Sequence, residues 1–244
     1  DATFTANPLT GCNPLTVDFN HTPTNTVPVQ LNWNFGDNSF GSVPSLQHIY
    51  EHQDPGTQTF DVELTALTTN GCTDTVRTSI DVGPYMNLAF DIDTAKGCSP
   101  LIINITNNSS GGIDNYVWKK EDIVFSNDPN PGSITFFNNS NAPIDTVITL
   151  VGTNSAGTCI DSLQKTITIY PSVDATFTQD ITDGCNPLTV NFTHTPVNNP
   201  IVSWNWTFGD NNTASIANPQ NTFENTENTT TTYPTQLIVK SIYN

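Results

Sequence analysis

Apolar and polar residues alternate in short runs along the chain, as the first 82 residues illustrate. Thr, Val, Ile and Phe alternate with polar residues, and Pro, Gly and Asn interrupt the runs, which is typical of strands joined by turns. Trp33 alternates with Leu31 and Phe35, so this face is expected to fill a core between two sheets. The pattern predicts an all-β chain of sandwiches with Greek-key connections. The predicted strands cover residues 2–7, 15–20, 29–35, 46–50, 59–68 and 74–82.

The sequence contains an internal repeat. DATFT at residues 1–5 returns at residues 174–178, and GCNPLTVDF at residues 11–19 returns as GCNPLTVNF at residues 184–192, both 173 positions later. A fainter copy, GCSPLIINI, starts at Gly97, about midway. A repeat at this period indicates that three copies of one small domain follow each other.

The predicted boundaries fall where an alternating run meets a proline, at Pro84 and Pro171. The domains are expected at residues 1–83, 84–170 and 171–244, the third being truncated at its C-terminus. Because such short linkers restrict the hinge angle, we expect an extended rod.

A pentapeptide recurs in each copy. It is WNFGD at residues 33–37 and WTFGD at residues 206–210, whereas WKKED at residues 118–122 keeps only the first and last letters. The glycine permits a backbone conformation that other residues avoid, and the aspartate accepts hydrogen bonds from the turn that follows. We therefore predict a strand end closed by a turn clamp. Its structural residues are Trp33, Gly36, Asp37, Trp118, Asp122, Trp206, Gly209 and Asp210.

Around this pentapeptide the chain resembles the PKD domain, an immunoglobulin-like module of polycystin and of many bacterial surface proteins. The first copy continues with His48-Ile49-Tyr50, a Pro55-Gly56-Thr57 turn, the run Phe60–Leu64 and Asn70-Gly71-Cys72. The third copy keeps the pentapeptide but has Asn-Thr-Phe at residues 221–223, and the middle copy keeps little beyond Trp118, Asp122 and the cysteines. GCxPLTVxF with NGCxDT is similar to the repeats in long arrays on secreted and cell-surface proteins of Bacteroidota, including gliding and adhesion proteins.

The acidic composition bears on the partners. The 23 Asp and Glu against 6 Lys and Arg give a formal charge of -17, which repels phosphate backbones and anionic lipid surfaces. Nucleic acid and direct membrane insertion are therefore not expected as modes of action. No run approaches the ~20 apolar residues of a membrane span, and Asp1 opens without the features of a signal peptide, so a mature or excised secreted segment is expected.

Five cysteines occupy two positions of the repeat. Cys12, Cys98 and Cys185 follow the glycine of GC(N/S)PL, and Cys72 and Cys159 are expected to open the last strand of copies one and two. The third copy ends where its late cysteine is expected, so the odd count is attributed to truncation of a longer array.

Two disulfide patterns remain open. Pairing within each copy would join Cys12 to Cys72 and Cys98 to Cys159. The strand order that the resemblance implies places those two turns at opposite poles, about 20 Å apart, whereas a disulfide needs Cα atoms within about 7 Å. Domains stacked end to end predict Cys12–Cys159 instead, a staple between neighbours.

Catalytic chemistry is not expected. His21 and His194 occupy one repeat position, as strand-end residues copied with their domain, and His48 and His52 are too far apart on a strand to share a zinc ion. The sequence contains no G-x-S-x-G, phosphate-binding loop, HExxH or paired-carboxylate pattern in a plausible context. We predict that the protein is not an enzyme and needs no cofactor.

Two kinds of surface site are nevertheless candidates. The Asp-Thr/Ser-aliphatic tripeptides resemble Bacteroidota O-glycosylation acceptors, at Thr75, Thr94, Thr146 and Ser162. Hard oxygen ligands near the predicted domain junctions are candidates for Ca²⁺, at Asp1, Asp91, Asp93 and Asp174.

The function predicted from these features is a non-catalytic structural spacer of a secreted or cell-surface adhesin or surface filament. Its partners would be further copies of the repeat, with a surface ligand or lateral self-association in addition. The alternative is an accessory module of a secreted hydrolase that contacts polysaccharide or protein, which would require exposed aromatic residues on one face.

Overall fold

The computed structural model describes residues 1–25, 29–196 and 201–243, and every regular element assigned there is a β-strand. The strands of the first 82 residues are β1 (Phe4–Asn7), β2 (Thr10–Gly11), β3 (Leu15–His21), β4 (Val29–Asn34), β5 (Phe40–Gly41), β6 (Ser45–Tyr50), β7 (Gln58–Thr68) and β8 (Thr73–Val82). The six strands predicted there are confirmed, with ends that differ by at most two residues.

Two further series of strands follow. The first is β9 (Met86–Asn87), β10 (Phe90–Ile92), β11 (Lys96–Cys98), β12 (Leu101–Asn107), β13 (Ser110–Gly111), β14 (Asn115–Lys120), β15 (Ile123–Ser126), β16 (Gly132–Phe136), β17 (Ile144–Thr153) and β18 (Ile160–Tyr170). The second is β19 (Phe177–Gln179), β20 (Leu188–His194), β21 (Ile201–Thr207), β22 (Thr213–Ala214), β23 (Gln220–Phe223) and β24 (Gln236–Ser241).

The chain folds as two compact units, and residues 84–170 contribute to both. Unit 1 comprises Asp1–Asp91, Thr106–Pro131 and Ile148–Lys165. Unit 2 comprises Ile92–Ile105, Gly132–Val147 and Thr166–Asn244. The division into domains at residues 83 and 170, the count of three domains and the rod stay predictions.

Two sheets enclose the main core of unit 1. One has the strand order β1-β3-β6 and the other β2-β8-β7-β4-β5, in which only β2 and β8 run parallel. The alternation of β4 places Leu31, Trp33 and Phe35 inside, as predicted. Trp33 is completely buried and stacks on Phe35 with ring centroids 5.9 Å apart. A buried indole contributes a large apolar area, so this side chain anchors the core.

The strand pairs around each tryptophan repeat. In unit 1, β4 pairs with β5 and β7, where Trp33 lies opposite Leu64, and β14 pairs with β15 and β17, where Trp118 lies opposite Leu150. In unit 2, β21 pairs with β22 and β24, where Trp206 lies opposite Leu237.

Unit 2 has its own core and sheets. Sheets of order β19-β20-β23 and β22-β21-β24 enclose Val190, Phe192, Trp206 and Phe208. Elsewhere in this unit, β12 pairs with β16, and β11 pairs in parallel with β18 as β2 does with β8. No helix among the described residues is long and apolar enough to cross a membrane.

Candidate functional site: tryptophan clamps and cysteine turns

Each tryptophan of the recurring pentapeptide closes the loop that follows it. The indole Nε1 of Trp33 donates to the carbonyl of Val43, that of Trp118 to Asp128 and that of Trp206 to Ile216. Each bond is 2.9 Å long and spans ten residues, and each tryptophan is completely buried. The three indoles therefore both fill a core and fix a loop.

Gly36 and Asp37 form the predicted turn clamp of the first copy. Gly36 has φ +81°, and a Cβ added there would lie 2.7 Å from the carbonyl oxygen of Asp61. The Asp37 carboxylate accepts hydrogen bonds from the amide of Ser39 at 2.9 Å and from Nε2 of His48 at 2.7 Å. Burial raises the pKa of Asp37, but its hydrogen bonds with Ser39 and His48 outweigh burial and hold that pKa below its ordinary value.

The Asp-His-Ser cluster around Asp37 resembles a catalytic triad only in composition. Both Asp37 and the Ser39 hydroxyl approach the same ring nitrogen of His48, so the histidine cannot relay a proton between them. In unit 2 amides replace the histidine and serine: Asp210 accepts from Nδ2 of Asn221 at 2.7 Å and from the backbone amide of Asn212 at 2.9 Å. Because the side-chain amide of Asn221 replaces His48 as the donor to the aspartate, the cluster is a turn clamp.

The turn at WKKED, residues 118–122, has a different structure. Lys120 pairs with Ile123 across a two-residue turn, so Glu121 and Asp122 form the tip of a hairpin between β14 and β15. Glu121 takes the position of Gly36 and has φ +54°, a conformation that a side chain disfavours. Asp122 is exposed at this tip, so its predicted role as a turn clamp is wrong for this copy.

The structure joins Cys12 to Cys159, with their Cα atoms 5.5 Å apart and a sequence separation of 147. Of the two patterns left open, this is the staple between the first and middle copies, and the pairs Cys12–Cys72 and Cys98–Cys159 are not formed. Cys72 and Cys185 are exposed free thiols, and Cys98 is half-buried. Both halves of the staple lie in unit 1.

The segment around Gly83 and Pro84 packs against this disulfide. A Cβ added at Gly83 would lie 3.0 Å from Sγ of Cys159, and the amide of Gly83 donates to the carbonyl of Gly11 at 2.7 Å. The next residue but one, Tyr85, donates its amide to the carbonyl of Asp54 at 2.9 Å and accepts from the amide of Gly112 at 2.7 Å. The segment from Gly83 to Tyr85 is thus fixed on both sides. Sequence analysis missed these contacts, since a lone glycine or tyrosine carries no signal for them.

The histidines serve as structural donors and acceptors. A ring nitrogen of His21 bonds the carbonyl of Asp1 at 2.8 Å, and that of His194 bonds Asp174 at 2.9 Å, so the copied position does the same work in each unit. His52 is buried and bonds the carbonyl of Gly83 at 2.9 Å. The indole of Trp204 donates to the other ring nitrogen of His194.

The four calcium candidates are engaged by other groups. Asp1 and Asp174 each accept from the backbone amide two residues later, Asp91 bonds Asn108 and Lys165, and Asp93 accepts from the backbone and side chain of Asn104. Within the described residues, no group of three or more His, Cys, Asp or Glu side chains lies close enough together to hold a metal ion. Calcium binding remains an untested prediction.

The glycosylation candidates differ in accessibility. Thr75 and Ser162 are exposed on β8 and β18, and Thr94 is half-buried with its hydroxyl donating to the carbonyl of Lys96. Thr146 is 4% exposed on β17, so a glycan cannot reach it in the folded chain and that prediction is wrong. Its period-two spacing from the buried Ile148 and Leu150 was a signal for this burial.

A cavity of about 540 Å³ opens in unit 2. Leu188, Phe192 and Phe223 line its apolar floor, and a Thr-rich segment at residues 229–232 forms its wall. Strand β24, which pairs with β21 as β7 pairs with β4, is an edge strand of its sheet, whereas β7 is covered by β8. The residues that line the cavity belong to neither β21 nor β24, so the free edge of this sheet is a separate feature.

A family model described as the PKD domain matches residues 168–243, and no curated protein matches the chain significantly. Among solved structures, the chain is similar to the fibronectin(III)-like modules of Clostridium thermocellum CbhA, with 14% identity and a TM-score of 0.30 over 70% of this chain and 94% of that one. It is also similar to Drosophila N-cadherin EC1-4, with 12% identity and a TM-score of 0.35 over 67% of this chain and 47% of that one. A third structure contains carbohydrate-binding modules of the β-sandwich superfamily, with 12% identity and a TM-score of 0.29 over 98% and 82%.

TM-scores at this level carry no inference about function. The PKD match bears out the resemblance for the last third of the chain, and the Bacteroidota context stays a prediction. Residues 168–243, which include the Trp206–Asp210 clamp, thus match a PKD domain, a module of the immunoglobulin-like, non-catalytic kind.

Proposed function

We propose that the chain is a structural spacer of a secreted or cell-surface protein, in which neighbouring β-sandwich repeats are joined by a disulfide as well as by the backbone. The observation that carries the proposal is the Cys12–Cys159 bond between the early turn of one copy and the late turn of the next. A bond at this place limits how far neighbouring repeats can separate.

Three features support an extracellular place for this spacer. A structural disulfide persists in an oxidising compartment. The PKD domain, which matches residues 168–243, is a module usually found outside cells. The charge of -17 keeps an array of such repeats soluble and mutually repelling.

A mechanical consequence follows from the position of the staple. A force applied to the two ends of the chain enters the bond at Cys12 and leaves it at Cys159, so the residues between them are bypassed. At about 3.4 Å per extended residue, the 147-residue separation hides about 500 Å of chain from the pulling force.

Single-molecule force spectroscopy on the chain, held at its ends, tests the proposal. The oxidised protein should extend about 500 Å less at full unfolding than the Cys12→Ser/Cys159→Ser variant. The Cys72→Ser/Cys185→Ser variant, which keeps the staple, is the matched control and should extend like the oxidised protein. Equal extension of the stapled and unstapled proteins would remove the basis of the proposal, and electron micrographs of compact particles would contradict the rod.

The alternative, an accessory binding module, gains no support from the aromatic residues. Trp204 is half-buried and bonded to His194, and Tyr243 stacks on Tyr170 with ring centroids 4.9 Å apart. Retention of the chain on insoluble cellulose, chitin or collagen, lost on substitution of one exposed aromatic residue such as Phe40 (68% exposed), would favour the binding module over the spacer.

A further inference from the structure

Two exposed cysteines occupy the same repeat positions as the two halves of the staple. Cys185 follows Gly184 in GCNPLT, as Cys12 follows Gly11 in the identical hexapeptide. Cys72 lies in the hairpin between β7 and β8, as Cys159 lies in the hairpin between β17 and β18. Cys72 and Cys185 are both free thiols.

The early turns of Cys12 and Cys185 share two local contacts. At Gly11 and Gly184 an added Cβ would collide with the side chain of the leucine four residues later. In both turns the asparagine that follows the cysteine accepts a backbone amide 39 residues further on: Asn13 from His52 and Asn186 from Asn225. Cys185 is therefore held by the same two contacts as Cys12, whereas the β2–β8 pairing next to Cys12 has no counterpart among the strands described around Gly184.

The late hairpins of Cys72 and Cys159 also correspond. The cysteine carbonyl accepts from the amide of the residue that opens the turn, Thr68 at 2.9 Å and Asn154 at 3.2 Å. The cysteine amide donates back to the side-chain oxygen of that same residue, at 3.1 Å for Thr68 and 3.0 Å for Asn154. Each cysteine thus exchanges the same two hydrogen bonds with the residue that opens its turn, four positions away at Cys72 and five at Cys159.

The contact of a linker with the next late turn occurs a second time. Gly83 packs on Cys159, and Tyr170, which holds the position of Gly83 before Pro171, stacks on Tyr243. Tyr243 follows β24, which corresponds to β7 through the Trp206–Leu237 and Trp33–Leu64 pairs, so it lies in the late turn of the third copy. The approach of an early pole to the following late turn is therefore a property of the repeat.

We propose that Cys185 of one chain and Cys72 of a second copy of this chain form a disulfide of the Cys12–Cys159 kind, which joins copies head to tail. The oxidant is a small-molecule disulfide. The thiolate of one cysteine attacks it to form a mixed disulfide and release one thiolate, and the second cysteine then attacks the protein sulfur and releases the other. One disulfide is reduced to two thiols, one protein disulfide forms, and two protons leave the cysteines. The inference rests on the geometry of the staple and does not depend on the spacer role.

The test uses equal amounts of ¹⁵N-labelled and unlabelled chain, in which Cys12–Cys159 is intact, equilibrated with reduced and oxidised glutathione. Peptide mapping under non-reducing conditions then counts links between labelled and unlabelled peptides, which excludes bonds within one chain. Random pairing of the two thiols yields Cys72–Cys185 twice as often as either homotypic link. The proposal predicts an excess on the order of tenfold over each homotypic link, because only this pairing has the geometry of the staple.

A displaced cysteine provides the matched control. The Cys72→Ser/Thr73→Cys variant keeps an exposed thiol on the same hairpin but one residue away, where it points to the other face of the strand. In this variant the ratio of Cys185 links to homotypic links should fall to the random value. The Cys185→Ser variant should form disulfide-linked dimers but no larger oligomers. A random ratio in the unmodified chain, an undiminished excess in the displaced variant, or bonds only within one chain would each overturn the proposal.

Discussion

Alanine at Gly36 tests whether the turn clamp depends on a close approach between backbones. Gly36 has φ +81°, and its added Cβ would lie 2.7 Å from the carbonyl oxygen and 2.9 Å from the amide nitrogen of Asp61. Gly71 has φ +83°, and nothing lies within 4 Å of its added Cβ. Alanine therefore meets the same backbone strain at both positions but collides with β7 only at Gly36.

The expected magnitudes separate strain from collision. A left-handed backbone costs alanine about 1 kcal/mol, which is the whole expected effect of Gly71→Ala on the free energy of unfolding. At Gly36 the collision partner is main chain, which cannot swing aside, so overpacking adds about 2 kcal/mol. Gly36→Ala should therefore lower the free energy of unfolding by about 3 kcal/mol, which corresponds to roughly a 150-fold increase in opening.

Native-state hydrogen exchange measured by mass spectrometry resolves the two variants locally. Peptides covering 58–68 should exchange roughly 150-fold faster in Gly36→Ala and only about fivefold faster in Gly71→Ala. A peptide covering 236–241, in unit 2, is the internal reference and should not change. Equal acceleration in both variants would mean that Gly36 does not approach Asp61, and the explanation of the recurring pentapeptide would fail.

Three further predictions follow from the clamps and the staple. The pKa of Asp37 in the folded chain is lowered from 3.8, so its stabilising contribution is present above pH 3.8 and is lost as pH falls through the folded value. The urea midpoint of Asp37→Asn should therefore lie below that of the parent protein at pH 6 and converge with it in acid. Asp122→Asn is the control and should not show this pH dependence, and parallel curves for Asp37→Asn and the parent protein would contradict the assignment. Glu121→Gly should raise the free energy of unfolding in urea by about 1 kcal/mol, since glycine adopts φ +54° without strain, and a loss of stability would refute this. Cys12→Ser should lower the free energy of unfolding by at most about 5 kcal/mol, the chain-entropy value for a 147-residue separation. Calorimetry that finds no loss would mean that the bond does not stabilise the folded chain.

The strands were predictable because alternation is a local signal. The run around Leu31, Trp33 and Phe35 has one face inside, and the structure buries that face. The two-residue strands β2 and β5 were missed, since two residues cannot display a period. Their existence follows from pairing with β8 and β4, which is a tertiary contact.

The site was predictable only as far as its parts are local. The glycine and aspartate of the turn clamp were identified because turn chemistry requires those residue types, and the repeat made them conspicuous. The choice between the two disulfide patterns stayed open, because it depends on which late turn comes within reach of Cys12 in space. The contacts that fix this, at Gly83 and Tyr85, involve residues with no distinctive chemistry of their own.

The staple also decides which strands carry a load. Residues between Cys12 and Cys159 are bypassed, so strands β3 to β17 lie outside the direct path of the force while the bond is intact. Strand β1 lies before Cys12 and is held to β3 through the four residue pairs from Phe4–His21 to Asn7–Asp18. Strand β1 is therefore the part of the first copy that bears the pulling force, and it should separate from β3 before any bypassed strand unfolds.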